Sequence, residues 1–183
     1  GNQFLIAMPQ LDGSYFADSV TYLWKHNRGG AVGIVINKPL KLREVDILDE
    51  LEITYKLEEK QKTIQRQVLS GGPVERDKGF IIHDSLDEWE SSISVTPEIQ
   101  ICTSKTILQD IVRGKGPQNY VIALGCAGWE AGQLEQEIIE NSWLTVPAKP
   151  DLIFSQNHSS KLSEAAGILG VNIRQLPQEA GHS

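Results

Sequence analysis

One cysteine in this chain stands among residues that could make it reactive. Cys126 lies in the stretch 125-GCAGWEAGQLE-135, which follows the apolar run at 120–124 and precedes residues that favour a helix. A thiol at a turn from strand to helix can have its pKa lowered by the helix N-terminus, which makes it a better nucleophile. Nucleophilic catalysis also needs a neighbouring base. Because His26 and His83 are distant in sequence, burial as a small apolar side chain is the competing interpretation of Cys126.

The glycines of this stretch do not match a nucleotide-binding motif. They stand at Gly125, Gly128 and Gly132, whereas the dinucleotide fingerprint is G-x-G-x-x-G, and the chain contains no G-x-x-x-x-G-K-[ST]. A helix N-terminus here would still offer N–H groups to an anion, although Glu130 would compete for them. The alternative is a packing corner, in which Gly128 brings the helix close to its strand and Trp129 anchors it in the core.

A second glycine-containing segment, 70-SGGPVERDKGF-80, has the composition of an anion cradle. Gly71 and Gly72 could present backbone N–H groups to an anion, and Arg76 would add a positive charge beside them. A proline-containing turn between two strands explains the same residues. The sequence leaves both interpretations open.

The histidines do not form a recognisable metal motif. His26, His83, His158 and His182 lack the HExxH spacing and are not paired with a CxxC. The sequence therefore predicts no metal site, and it identifies no cofactor. His83, which Asp84 follows, is retained as a candidate ligand-binding residue.

A mixture of strands and helices must position these residues. Two β-branched and aromatic runs flank the turn residues 27–30, which predicts a hairpin over residues 19–37. Further strands are predicted as antiparallel neighbours with short connections at 67–70, 79–83, 93–95 and 99–103, and as a buried strand at 120–124. The segments WLTV and DLIF, at 143–146 and 151–154, are predicted to be short strands or extended segments.

Helices are predicted where apolar residues recur every three or four positions. They cover 42–51, a segment from the capping residue Ser104 to Gly114, residues 129–141, and residues 160–169. Residues 52–66 are charged and polar, and a solvated, mobile segment is expected there. The third helix is expected to direct four acidic side chains to solvent, namely Glu130, Glu135, Glu137 and Glu140. Because strands and helices do not alternate regularly, the sequence predicts an α+β fold.

Length and composition are those of a globular protein. The 183 residues suffice for one domain, expected to span residues 1–183, with 40% apolar and 22% charged residues. No apolar run approaches the roughly 18 residues of a membrane span, so no membrane association is expected. Seventeen Lys and Arg against 24 Asp and Glu give a net charge of -7, which disfavours strong direct binding to nucleic acid. Two cysteines and a start without a cationic leader favour the cytoplasm.

Several segments together resemble one bacterial family. In chain order they are FLIAMPQLD, SVTYLWKHNRGGAVGIVINKP, SGGPVERDKGFIIH, ALGCAGWEAGQLEQEIIENSWLTVPA and the terminal AGHS. The series is similar to the AlgH/YqgE family, named from a genetic link to the control of alginate production. The resemblance implies an α+β fold in which a bent, mostly antiparallel sheet closes into a pseudo-barrel flanked by helices. It implies no cofactor and no catalytic residue. Since family members often have tyrosine in place of Cys126, a nucleophile common to the family cannot lie there.

These observations favour a cytoplasmic accessory or regulatory protein that acts through contacts with an unknown protein or small-molecule partner. Members of the family are named as transcriptional regulators, but this chain lacks a basic recognition helix, so any such role is expected to be indirect. The alternative is a small-molecule-binding protein or an enzyme of unknown reaction, with a pocket near the GGPV and AGW segments. Its candidate residues are Asn37, Gly71, Gly72, Arg76, His83 and Gly128.

Overall fold

A computed structural model describes residues 1–56, 65–84, 87 and 89–170. The strands are β1 (Gln3–Ala7), β2 (Val20–Asn27), β3 (Gly30–Val35), β4 (Pro39–Arg43), β5 (Gln67–Ser70), β6 (Val74–His83), β7 (Ser92–Thr96), β8 (Ile99–Cys102), β9 (Tyr120–Glu130) and β10 (Trp143–Pro147). The helices are α1 (Glu44–Glu50), α2 (Lys105–Val112), α3 (Gln133–Ile139), α4 (Pro150–Phe154) and α5 (Lys161–Gly167), with short 3-10 turns at Pro9–Leu11 and His158–Ser160. No helix among the described residues is long and apolar enough to cross a membrane.

The strands form one sheet that curls into a half-barrel. Its order is β10-β1-β2-β3-β9-β6-β8-β7, and β4 and β5 are added beside β9. All the pairs are antiparallel except β5 with β9, which run parallel. The predicted fold, a bent and mostly antiparallel sheet flanked by helices, is confirmed. The pairing of β5 differs from the prediction. Its neighbours in the sheet are β4 and β9, whereas β6 was expected beside it.

Strand β9 is long and pairs with different strands along its length. Its first part pairs with β5 and β6, and its second part, residues 127–130, pairs with β3. The bend between the two parts lies at Gly125, whose φ of +82° is readily adopted only by glycine. The predicted helix start at Trp129 is therefore wrong. Helix α3 begins at Gln133, after Gly132 with a φ of +78°.

The predicted hairpin is confirmed as β2 and β3, which are joined at Asn27 and Gly30. Its side chains alternate between two faces, as expected for strands. Tyr22 packs inside the half-barrel, whereas the neighbouring Leu23 packs on the outer face. The predicted helix after Ser104 is also confirmed, and the Ser104 hydroxyl accepts a hydrogen bond from the Thr106 N–H at 3.2 Å.

Three local predictions need correction. The segment predicted to be a turn at 71–78 is already strand from Val74 onward, because β9 lies alongside and pairs with it. Strand β4, Pro39–Arg43, lies between the predicted hairpin and the predicted helix, where no strand was expected. The segment DLIF is helix α4 rather than an extended segment, and Pro150 occupies the first helical turn, where its missing N–H costs nothing.

Three apolar cores hold the layers together. The first fills the half-barrel and includes Tyr22, Ile34 and Phe80, with α4 and α5 closing one end. The second lies between the outer face of β6 and β9 and helices α1 and α2. The third lies on the outer face of β1 to β3 beneath α3. Each helix therefore covers one apolar face of the sheet.

The polar segment after α1 can be compared with its prediction only in part. Ile53 is 7% exposed and belongs to the second core, so the start of the segment is packed rather than solvated. Residues 57–64 and the tail LPQEAGHS lie outside the described residues.

Candidate functional site

Three of the segments that carry the family resemblance meet at one point of the fold. The Gly71 N–H donates a hydrogen bond to the Leu124 carbonyl at 2.7 Å, and the Gly71 carbonyl accepts one from the Val35 N–H at 2.8 Å. Beside it, the Ser70 N–H donates to the Lys38 carbonyl at 2.7 Å. The INKP, SGGPV and LGC segments are thus joined through their backbones, and the Gly71 N–H is not free to bind an anion.

Close backbone contact at this junction requires glycine. A β-carbon at Gly71 would stand 2.3 Å from the Gly125 carbonyl oxygen, and one at Gly72 would stand 2.1 Å from the Cys126 carbonyl, whereas real β-carbons essentially never come within 3.0 Å. Gly128 is exposed, and nothing lies within 4 Å of its β-carbon position. The predicted close-approach role of Gly128 is therefore wrong. That role belongs to the glycines at the junction.

Asn37 holds a loop in place through both polar atoms of its side-chain amide. Its Oδ1 accepts a hydrogen bond from the Val20 N–H at 2.9 Å, and its Nδ2 donates to the Asp18 carbonyl at 2.9 Å. Both groups lie where the loop after β1 enters β2. The amide therefore fixes the path of that loop, and both of its polar atoms are already bonded.

Tyr15, at the middle of the same loop, packs over the junction. Its hydroxyl hydrogen-bonds with that of Ser70, and its carbonyl accepts from the Lys38 ammonium at 2.5 Å. The ammonium also lies 5.2 Å from the centre of the Tyr15 ring, and burial lowers the pKa of Lys38. Sequence reasoning did not select Tyr15 or Ser70. The only signal would have been the position of Ser70 directly before Gly71.

His83 lies at the far end of β6 from Arg76 and is fully buried. Its Nε2 is 3.3 Å from the Ser92 hydroxyl oxygen, and its ring meets that of Trp89 edge to face at 5.2 Å. Burial lowers the pKa of His83, with an opposing effect from Asp84. The structure thus gives His83 a neutral, packed environment and does not bring it to the glycine junction.

Cys126 lies inside β9 and not at a helix start, so no helix N-terminus activates its thiol. Its Sγ is 3.9 Å from Oε2 of Glu75, and the residue as a whole is 5% exposed. Burial raises the pKa of Cys126, and the Glu75 carboxylate raises it further, while Lys78 opposes both. The thiol is therefore protonated near neutral pH, which favours the packing interpretation.

An open cleft of about 790 Å³ lies on the surface of the described part of the chain. It lies over the outer face of β6 and β9, between α1 and the start of α2. Its apolar floor and walls are formed by Leu42, Ile47, Leu51, Ile81, Leu108, Ile122 and Leu124. Arg76 lines this cleft, and it is the one candidate residue from the sequence that does so.

The charged side chains of the cleft lie at its edge. Helix α1 contributes Asp46 and Glu50, and the opposite side contributes Arg76, Asp77 and Lys105. The side with the two cations also holds the N-terminus of α2, where a helix carries partial positive charge. The cleft thus combines an apolar interior with an acidic wall and a mixed, partly cationic wall.

A buried carboxylate under α1 was not found by sequence reasoning. Glu44 is fully buried, and the Tyr120 hydroxyl donates to its two carboxylate oxygens, at 2.8 and 3.0 Å. Arg66 lies 4.3 Å from the centre of the Tyr120 ring and donates to the Tyr120 carbonyl at 2.9 Å. Burial raises the pKa of Glu44 to about 7, and the Tyr120 hydrogen bond and Arg66 oppose that rise. In sequence, Glu44 looks like any other acid at the start of an amphipathic helix.

The structure thus brings Gly71 and Gly72 to the Gly125 corner and places Arg76 in the neighbouring cleft. Asn37, His83 and Gly128 do not line that cleft. Within the described ranges, no group of three or more His, Cys, Asp or Glu side chains could hold a metal ion.

Comparisons with known proteins agree along nearly the whole chain. The AlgH-like family model (DUF179) matches residues 4–174. The UPF0301 protein of Hahella chejuensis is 45% identical over 182 residues, covering 100% of this chain and 95% of the relative. That of Thioalkalivibrio sulfidiphilus is 44% identical, covering 100% and 96%.

Two solved structures share the fold. The solution structure of AlgH from Pseudomonas aeruginosa has a TM-score of 0.80 at 42% identity, covering 100% of this chain and 95% of that one. Protein DIP2367 of Corynebacterium diphtheriae has a TM-score of 0.66 at 18% identity, covering 84% and 78%, and supports the fold alone. The family match, the full-length relatives and the shared half-barrel lead to one conclusion: this chain belongs to the AlgH-like UPF0301 family of bacterial proteins.

Proposed function

We propose that this protein is a cytoplasmic accessory or regulatory protein that acts by binding a small molecule in the cleft beside α1. The observation that carries the proposal is the cleft itself, with its apolar interior and charged edge. Its volume of about 790 Å³ lies within the range of ligand pockets, roughly 300–1,000 Å³. A regulator of this kind also contacts a partner protein. Its affinity for that partner would then depend on whether the ligand occupies the cleft.

The charges at the edge indicate the class of ligand. Arg76 and Lys105 lie on the same side as the start of α2, and all three favour an anionic group. The interior beyond them is formed by aliphatic side chains, which favour an apolar group. The ligand we propose is therefore an amphiphile with an apolar body and one acidic group.

This function requires no direct contact with DNA. The net charge is -7, and α2 begins with Lys105 and is followed by Arg113, too little positive charge for a recognition helix. A regulatory role therefore fits a protein that senses a ligand and contacts another protein. No serine, cysteine or histidine among the described residues stands in the cleft beside an activating base, so the geometry supports binding more than catalysis.

The proposal can be tested with two amphiphilic anions, anilinonaphthalene sulfonate and dodecanoate. Fluorescence titration of the first, with the second as competitor, gives both affinities. Arg76→Ala should weaken both by about fivefold, the effect of roughly 1 kcal/mol from one exposed ionic contact. Ile47→Asp, which puts a carboxylate on the apolar wall, should weaken binding more.

Arg113→Ala is the matched control, because Arg113 is exposed and lies at the other end of α2, outside the cleft. It should bind both anions as the unchanged protein does. If Arg76→Ala and Ile47→Asp also bind normally, the cleft is not the binding site. If neither anion binds but one protein is captured specifically, the accessory role rests on protein contacts alone.

A further inference from the structure

A second cavity, open to solvent, lies on the opposite face of β6, at the edge of the half-barrel interior. It has a volume of about 380 Å³ and is lined from β2, β3, β6, β7, β8 and β9. Its apolar walls are formed by Trp24, Val32, Phe80, Ile93 and Ile101. None of these five residues lines the cleft beside α1, and the two cavities share one lining residue, Thr103.

Two opposite charges from β6 border this inner cavity. Glu75 and Lys78 both line it, and both are exposed at its edge. They do not form an ion pair with each other, since within the described part of the chain the one ion pair is between His26 and Glu135. The Lys78 ammonium lies 5.5 Å from the centre of the Phe80 ring. The edge therefore offers a cation and an anion that do not neutralise each other.

One residue that lines this cavity, Trp24, has a buried side-chain donor without a partner among the described residues. The indole Nε1 of Trp24 is buried and makes no hydrogen bond to any described residue, although burying such a group unpaired costs free energy. The hydroxyl groups of Ser92 and Thr103 line the same cavity. Polar groups therefore lie beside the apolar walls of this cavity.

The backbone of Glu75 is unusual in the same place. Its φ of +50° lies in the left-handed region, which non-glycine residues rarely adopt, and the register of β6 against β9 shifts between Val74 and Gly79. At this irregularity Glu75 and Lys78 line the inner cavity, while Arg76 and Asp77 line the cleft beside α1. Strained residues of this kind cluster at binding sites.

We propose that the inner cavity binds a free amino acid with an apolar or aromatic side chain. The ammonium group of the ligand lies at Glu75, and its carboxylate lies at Lys78. The side chain enters the cavity among Phe80, Ile93 and the other apolar residues. One cation, one anion and an apolar interior match a zwitterion of this size better than a simple acid or a simple amine.

Calorimetric titration of the full chain with phenylalanine, leucine and isoleucine tests this site. Two analogues separate the charges: 3-phenylpropionate lacks the ammonium group, and phenethylamine lacks the carboxylate. Phenylalanine should bind with a Kd of about 1 mM or tighter, and each analogue should bind about tenfold more weakly, the loss of one ionic contact. Equal affinity for phenylalanine and either analogue would overturn the zwitterion assignment, as would no binding of any of the three amino acids.

Matched variants test whether phenylalanine binds at the β6 residues of the cavity. Glu75→Gln and Lys78→Met should each weaken phenylalanine binding about tenfold. Glu98→Gln and Lys115→Met make the same changes at exposed positions outside the cavity and should have no effect. Normal binding by Glu75→Gln and Lys78→Met would overturn the proposal.

Cys126 lines the cavity and reports its occupancy independently. Alkylation by N-ethylmaleimide, followed by mass spectrometry of the peptides, distinguishes it from Cys102, which is fully buried elsewhere. Saturating phenylalanine should slow alkylation of Cys126 and leave that of Cys102 unchanged. An unchanged rate at Cys126 with phenylalanine bound would show that binding occurs at another place. None of these measurements depends on the cleft beside α1. The amino-acid site and the proposed function can therefore fail separately.

Discussion

The glycine junction makes a quantitative prediction about Gly71→Ala. The new β-carbon would stand 2.3 Å from the Gly125 carbonyl oxygen, 3.1 Å from the Ala123 β-carbon and 3.2 Å from a methyl group of Ile34. Movement of Gly71 away from Gly125 would stretch its hydrogen bond to Leu124. Overpacking typically costs about 1–3 kcal/mol and a weakened hydrogen bond about 1 kcal/mol more, so we expect a loss of about 2–4 kcal/mol.

Gly128→Ala is the matched control for this change. Both substitutions add one methyl group and reduce the entropy of the unfolded chain equally. Because nothing lies within 4 Å of the Gly128 β-carbon position, this variant should be neutral or up to about 1 kcal/mol more stable. Urea unfolding followed by tryptophan fluorescence measures both changes. Equal unfolding midpoints for the two variants would refute the close-contact explanation of the junction.

Four further predictions concern a buried acid, a partly buried acid, a buried histidine and surface charge. Burial raises the pKa of Glu44 from 4.5 to about 7, so the unchanged protein should lose on the order of 3 kcal/mol of stability as pH rises through that window. Glu44→Gln should lack this loss in urea titrations at about pH 5 and about pH 8, and equal pH dependence would contradict it. Burial lowers the pKa of His158 from 6.5 to about 4, so stability should fall as pH drops from 6.5 towards 4, and His158→Leu should not show this fall in thermal unfolding. Glu137→Ala should cost about 2–4 kcal/mol, because Oε1 accepts the indole N–H groups of Trp129 and Trp143 at 3.0 Å each. Glu137→Gln, which keeps an acceptor, should cost less in the same urea assay. Because the net charge is -7, binding to duplex DNA in a mobility-shift assay should be weak and lost between about 50 and about 200 mM salt, and salt-resistant binding to one promoter would contradict this.

Strands and helices whose own residues carry a clear pattern could be predicted from the sequence. The hairpin of β2 and β3 follows from turn residues between two β-branched runs, and α2 follows from the Ser104 cap and its apolar stripe. The second half of β9 could not be predicted in this way. Residues 127–130 form a strand because β3 lies alongside and supplies backbone partners, whereas the same glycine-containing segment before helix-favouring residues looks like a helix start.

The candidate site could be predicted only in outline. Arg76 was selected because an arginine follows two glycines, and it does line the cleft. The opposite wall of the cleft comes from α1, about thirty residues earlier, and no local pattern indicates that the two segments meet. Asn37 and His83 were selected as polar residues beside apolar runs. Such positions are also where a fold places its internal hydrogen bonds, as the contacts of Asn37 with the loop after β1 demonstrate.

Strand β6 forms a wall of both cavities, with Arg76 on one side and Lys78 on the other. A ligand that displaces this backbone from one side must therefore change the shape of the site on the other side. Thermodynamic linkage then requires reciprocity: if the amino acid alters the affinity for the anion by some factor, the anion alters the affinity for the amino acid by the same factor. A single strand with an irregular register between Val74 and Gly79 would in this way make the protein respond to a combination of two metabolites rather than to either one.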